Sequence, residues 1–180
     1  MRRRRLRRLR AIREALTSRT NELYSTAVRA LGRTRVFAWA GARLLHRLDL
    51  RFRKHAPSAL GSDFPLCYLT VRGRKSGVPR TVPLLHVRDG ERVVLIASNW
   101  GRGRDPNWAL NLAAADEATV ALPRGEARLM RSRPATPDER VRYWSEALRF
   151  WPGYETYRSR ADREIPMFTL DPADVPDAES

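Results

Sequence analysis

LTVRGRKSGVPRTVPLLHVRDGERVVLIASNWGRGRDPNWALNL, residues Leu69 to Leu112, holds the pattern that decides the fold. It opens on an apolar strand and breaks into a glycine-punctuated basic loop, Arg72-Gly73-Arg74-Lys75-Ser76-Gly77-Val78-Pro79-Arg80. Two strands follow, joined by Asp89-Gly90, a dipeptide suited to the positive φ of a tight type I′ hairpin. Val93 to Ala97 is apolar at every position, which predicts a strand covered on both faces. Asp105 before Pro106 reads as an N-cap followed by proline at the first helical position, opening a short helix to about Ala114.

Working outward, strands are expected at Leu66–Val71, Arg80–Val87, Arg92–Ser98, Ala118–Leu122, Ala127–Arg131 and Ile165–Leu170. Pro123 to Glu126 forms a second hairpin connection. Thr136-Pro137-Asp138-Glu139 is a capping box that opens a helix through Arg149, and Trp151-Pro152-Gly153 ends it. A short helical segment with Tyr154 and Tyr157 follows. Six short, mostly antiparallel strands with a few late helices predict an α+β chain built on a small closed barrel, not a parallel βαβ sheet. Three regions follow: a basic N-terminal arm with an amphipathic helix at 1–63, the barrel at 64–172, and a loose acidic tail at 173–180.

Nearly all of the formal charge of +15 belongs to the N-terminal third. Residues 1–55 carry seventeen cations against Glu14, Glu22 and Asp49, whereas the remaining 125 residues carry 18 basic and 17 acidic groups. Leu6, Leu9, Ile12 and Leu16 make a narrow apolar stripe within this arm. It therefore reads as a solvated tail, as a helix on anionic lipid headgroups, or as a polyanion contact. No helix-turn-helix, finger or stacking pattern accompanies the charge, which disfavours nucleic acid. Val36 to Leu50 reads as an amphipathic helix with Phe37, Ala40, Leu44 and Leu48 on one face. No stretch reaches the roughly 20 apolar residues of a membrane span, and arginines interrupt the place where a signal peptide would need its apolar core. These features, with the lone Cys67, suit a cytoplasmic chain, peripheral on the inner membrane face if the arm binds lipid. His46, His55 and His86 lack ligand spacing, so no metal is expected. Ser98 has neither a nucleophile-elbow context nor a base.

The Arg72–Arg80 loop has four cations and no acid. Its glycines let backbone N–H groups turn toward an anion, and its arginines offer forked contacts to phosphate or carboxylate. The same residues also fit a solvated basic hairpin. Neither a P-loop nor a dinucleotide fingerprint is present, because the spacer before Gly-Lys-Ser is missing and a strand follows in place of a helix.

Several motifs occur in order: Gly73-Arg74-Lys75-Ser76-Gly77-x-Pro79-Arg80, Pro83-Leu84, Arg88-Asp89-Gly90, Ala97-Ser98-Asn99-x-Gly101 and Pro106-x-Trp108-x-x-Asn111-Leu112. Pro152-Gly153-Tyr154-x-x-Tyr157 and Asp162-Arg163-x-Ile165-Pro166 complete them. Together they resemble the deazaflavin-dependent nitroreductases, which use coenzyme F420 and whose relatives include F420H2-dependent quinone reductases. The resemblance spans about Phe64 to Pro172 and implies a split β-barrel of the flavin-reductase type. In that family the basic loop holds the coenzyme's phosphate and oligoglutamate tail. This implies Arg74, Lys75, Ser76 and Arg80 as tail ligands, and Thr81, Val82 and Pro83 along the ring. Ala97, Ser98 and Asn99 would meet the deazaflavin edge. Trp108 and Asn111 read as packing between helix and barrel.

The implied reaction is hydride transfer from the reduced coenzyme to a lipophilic acceptor, a quinone or nitro compound. Tyr154, helped by Ser98, is the expected group to orient or protonate it, or else Tyr154 only closes the pocket wall. Trp100, Trp151, Tyr154 and Tyr157 are the expected acceptor-lining residues. Asn99-Trp100 stands where many relatives have Lys-Gly, Ala109 replaces a common tyrosine, and Trp151 stands where tyrosine is frequent, so acceptor preference does not transfer. Two alternatives remain open: a split barrel holding FMN or haem without deazaflavin chemistry, and an interaction protein dominated by its basic arm.

Overall fold

The computed structural model describes residues 64–123 and 125–174. The expected arm, the amphipathic helix at Val36–Leu50 and the end of the tail lie outside these residues. Six strands close into an antiparallel barrel: β1 (Leu66–Arg72), β2 (Pro79–Asp89), β3 (Arg92–Ile96), β4 (Glu117–Ala121), β5 (Ala127–Pro134) and β6 (Met167–Pro172). The order around the barrel is β1-β2-β3-β6-β5-β4, with β4 pairing back to β1 through Tyr68↔Ala121 and Thr70↔Thr119. Three helices accompany it: α1 (Asn107–Leu112), α2 (Pro137–Phe150) and α3 (Gly153–Ala161), with a 3-10 turn at Asn99–Gly101.

Strand alternation builds two cores. Cys67, Leu69 and Val71 of β1 meet Val93 and Leu95 of β3, Val120 of β4 and Leu170 of β6 inside the barrel, closed at one end by Leu112 of α1. The opposite face of β3 and β6, with Val94, Ile96 and Met167, packs against Tyr143 and Ala147 of α2 and Tyr154 and Tyr157 of α3. The all-apolar β3 is buried on both faces for this reason, and each fully buried Val, Leu or Ile contributes about 1.5–3 kcal/mol. Burial also raises the Cys67 thiol pKa to about 12, so this side chain acts as a small hydrophobe.

Three local details depart from expectation. In the β2–β3 hairpin only Gly90 takes a positive φ, 61°, and Glu91 does not, which is a II′-like turn in place of I′. Helix α1 starts at Asn107 with Pro106 as its cap, because the Asp105 carboxylate faces Arg163 and does not cap the helix. The sixth strand starts at Met167: Pro166 has no N–H for the ladder, and its carbonyl accepts from Ala97 at 2.8 Å. The capping box of α2 forms as expected, with Thr136 N donating to Glu139 Oε2 at 2.8 Å and Glu139 N to Thr136 Oγ1 at 3.4 Å.

Candidate active site

Antiparallel pairing brings three chain segments to one rim of the barrel: the end of β1, the start of β2 and the exit from β3. The basic loop joins the first two, and the Ala97–Asp105 loop leaves the third. The basic loop is compact. Gly73 N donates to Val78 O at 3.0 Å, and Gly77 N donates to Gly73 O at 2.7 Å while Gly77 holds φ at 67°. Asn111, 6% exposed on α1, secures it from below. Its Oδ1 accepts from Arg74 N at 3.2 Å and Arg74 Nη1 at 3.1 Å.

Arg92, Arg128, Arg133, Arg140, Arg142, Arg158 and Arg163 each pair with a carboxylate. Arg72, Arg74, Lys75 and Arg80 are all exposed, and none has an acidic partner among the described residues. Arg88, Arg104, Arg149 and Arg160 also lack a carboxylate partner among the described residues, so what sets the basic loop apart is that its cations are clustered. Four cations held on a tight loop without counter-charges among the described residues give that part of the rim a local positive potential. Ser76 is exposed on the same loop, its Oγ 3.4 Å from Val78 N.

Beside this loop β2 divides the expected ring contacts. Thr81 and Pro83 lie on the outer face and are half-buried, with Thr81 Oγ1 2.8 Å from Thr70 Oγ1 on β1. Val82 packs with the barrel interior, so its side chain does not face that surface. Ala97 also departs from expectation. It is 0% exposed, its N–H is spent on Pro166 O, and its carbonyl accepts from Arg163 Nη2 at 3.0 Å. Ser98 and Asn99 are half-buried on the loop. The Asn99 amide donates to Arg104 O at 2.7 Å, and its backbone N–H and Oδ1 have no partner among the described residues.

The aromatic expectations need the largest correction. Trp151, Tyr154 and Tyr157 are 2%, 5% and 1% exposed. They belong to the core beneath α3, not to an open wall. The Tyr154 ring lies 5.9 Å from Trp144, 6.5 Å from Phe150 and 6.1 Å from Tyr157. Trp151 Nε1 donates to Tyr157 Oη at 3.3 Å, which satisfies the indole internally. Burial raises the Tyr154 pKa above the usual phenol range and pushes Tyr157 up to about 12. In this conformation neither hydroxyl reaches an acceptor on the rim. Trp100 keeps partial exposure, its ring edge-on to Tyr157 at 5.8 Å. Trp108 packs on Phe168 at 6.2 Å, as a helix-to-barrel contact should.

An open groove of about 670 Å³ lies farther along the barrel, lined by residues including Arg72, Arg131, Asp116 and Asp171. It shares only Arg72 with the basic loop, and its acids offset its arginines, so it has no preference for anions.

A family model described as F420H(2)-dependent quinone reductase matches residues 46–172. The chain belongs to that family. It is thus a deazaflavin-dependent oxidoreductase, and reduced F420 is its cofactor. A Mycobacterium tuberculosis protein named as an F420H(2)-dependent quinone reductase is 31% identical over 126 residues, covering 70% of this chain and 98% of the relative. A second from the same species, named likewise, is 32% identical over 114 residues, covering 59% of this chain and 72% of its own. A solved F420-H2 dependent reductase aligns with a TM-score of 0.55 at 30% identity, over 59% of this chain and 94% of that one. The uncompensated cationic loop fits an anionic coenzyme of this kind. Sequence reading missed Arg163 and the Arg74 clasp by Asn111. Asp162-Arg163 carried a motif but no charge pattern to mark it.

Proposed function

We propose that this chain reduces a quinone, or a nitro compound of similar shape, with F420H2 held across the rim formed by the basic loop, β2 and the Ala97–Asp105 loop. The single observation that supports this most is the set of four loop cations without acidic partners. The Lys75 and Arg80 side chains have no hydrogen-bond or ion-pair partner among the described residues, so both are available to phosphate and carboxylate. Arg74 is held by Asn111 and contributes an oriented positive charge. Bound coenzyme supplies the hydride.

The remaining work falls to the chain. Thr81 and Pro83 offer a flat, half-buried strand surface, and the Thr70–Thr81 hydrogen bond fixes the Thr81 rotamer. Asn99 N–H is a donor for a ring-edge oxygen. The Ser98 hydroxyl, unpartnered among the described residues, is our candidate to hydrogen-bond the acceptor, in the role first expected of Tyr154. Trp100 bounds the acceptor side. Contact of the arm with an anionic membrane would bring a lipophilic quinone close. No helix among the described residues is long and apolar enough to cross a membrane.

The test is a titration of F420, FMN and haem, followed by turnover of the reduced coenzyme with menadione. F420 binding tighter than FMN or haem, with quinol formed per coenzyme oxidised, supports the proposal. Preference for FMN or haem, or no quinone turnover by coenzyme-loaded protein, contradicts it.

A further inference from the structure

Arg163 sits at the end of α3, where Asp162 takes the left-handed conformation at φ 47° and turns the chain back toward the barrel rim. Its side chain is 15% exposed. Nη2 donates to Ala97 O at 3.0 Å, Arg104 O at 3.3 Å and Ser98 O at 3.5 Å, while Nε donates to Arg102 O at 3.2 Å. Nη1 donates to Glu164 O at 3.1 Å and lies 2.6 Å from Asp105 Oδ1. That last approach is an ion pair without hydrogen-bond alignment, since Asp105 Oδ1 has no hydrogen-bond donor. One guanidinium thus gathers the carbonyls of a single loop.

The loop needs that restraint. Asn99 and Trp100 hold φ at 46° and 60°, a region that side-chain-bearing residues disfavour. A trans peptide directs each carbonyl opposite to the next residue's N–H. Ser98 O accepts from Gly101 N at 2.9 Å within the turn and also faces Arg163 Nη2 at 3.5 Å, so the N–H of Asn99 points away from the guanidinium, toward the outside of the loop. Gly101 fixes the other end: a Cβ there would lie 2.9 Å from Tyr157 Cα.

We propose that Arg163 is a positioning residue for the coenzyme-facing loop, holding four carbonyls inward so that the Asn99 N–H is presented to the ligand. This rests on the reading of the rim as the F420 site. An interaction through carbonyls also predicts something independent of any ligand. Arg102 O and Arg104 O belong to the two peptide bonds of the loop that trypsin would cut, and the clasp withholds both from the protease.

The experiment compares wild type, Arg163→Lys and Arg163→Ala by mass-resolved trypsin digestion of the coenzyme-free protein, by F420 fluorescence titration and by thermal unfolding. In Arg163→Ala, cleavage after Arg102 should accelerate about tenfold or more, and F420 affinity should fall by a similar factor, with charge-assisted bonds of this kind lost. Added ethylguanidinium should partly restore both. Arg163→Lys should restore neither, because an ammonium cannot span the four carbonyls as the fork does. Where Arg163→Ala does not fold, Asp105→Asn, which removes only the ion pair, should shift both readouts the same way by less. Unchanged cleavage after Arg102 in a folded Arg163→Ala protein, or in Asp105→Asn when the former is unfolded, overturns the clasp. Unchanged F420 affinity with accelerated cleavage overturns its role toward the coenzyme. Wild type that fails to bind F420 overturns the proposed function and, with it, that role, while the proteolysis still decides the clasp.

Discussion

Replacing Asn111 separates the stability of the basic loop from its affinity for an anion. Asn111→Ala removes the acceptor for Arg74 N and Arg74 Nη1, two bonds of 3.2 and 3.1 Å, one of them charge-assisted. Arg74 is exposed, so its freed donors can find water, and the net loss is about 1–2 kcal/mol in place of the full gross energy. That corresponds to roughly 4–8 °C in Tm per kcal/mol for a domain of this size. If the clasp holds the loop in its binding shape, the same free energy appears as an F420 Kd about 5–30-fold weaker. Asn111→Asp divides the two effects. The carboxylate still accepts from Arg74, so stability should stay above that of the Ala variant. It also adds a negative charge among the four cations. At about 7 Å and an effective dielectric of about 40, that charge costs an approaching phosphate about 1 kcal/mol. The assays are thermal unfolding and fluorescence titration of F420 at two salt concentrations. An Ala variant with wild-type Tm and Kd, or an Asp variant that binds F420 as tightly as wild type, would refute the clasp as a determinant of the site.

Other outcomes follow from the same structure. His86 is 6% exposed, with Nδ1 unsatisfied, and burial, assisted by the Arg88 cation, lowers its pKa to about 4. The unfolded chain therefore takes up a proton near pH 6.5 that the folded chain refuses until about pH 4. Stability present above pH 6.5 should fall across that window by up to about 3 kcal/mol, and denaturant titrations of His86→Gln should show a flatter slope. Gly101→Ala would place a Cβ 2.9 Å from Tyr157 Cα and 3.0 Å from Tyr157 O at a φ of 74°. Backbone atoms cannot yield as a flexible side chain can, so a loss of about 2 kcal/mol or more is expected in chemical denaturation, whereas Gly77→Ala, which meets no atom within 4 Å, should lose only the strain of its positive φ.

The barrel was legible because its signals are local: the apolar run of β1, the Thr, Val and Leu of β2, the unbroken apolar run in β3, and the glycine turns. The capping box of α2 was equally plain, since both of its partners lie within four residues. The basic loop was visible as composition, but its clasp was not, because Arg74 and Asn111 are 37 residues apart and neither sequence neighbourhood indicates the other. Arg163 was hidden for the same reason, with its carbonyl partners about 60 residues away. The tyrosines misled for a different reason. Pro152-Gly153-Tyr154-x-x-Tyr157 fixes a short helix, but it does not say which face of that helix meets the sheet. The packing of Ile96, Met167 and Phe64 against that helix decides it, and draws Tyr154 and Trp151 into the core. Val82 shows a finer limit: a strand named as lining a ligand exposes only alternate residues.

The most direct test of the account is the dependence of binding on the coenzyme's anionic tail. Wild type and an Arg74→Ala, Lys75→Ala double variant should be titrated with F420 and with a deazaflavin lacking phosphate and oligoglutamate. Wild type should bind the tailed coenzyme at least about tenfold more tightly. The double variant should lose most of that difference while keeping its affinity for the tail-less ring. Equal affinity of wild type for both ligands, or an equal loss for both in the double variant, would contradict the assignment of the basic loop as the anchor for the tail.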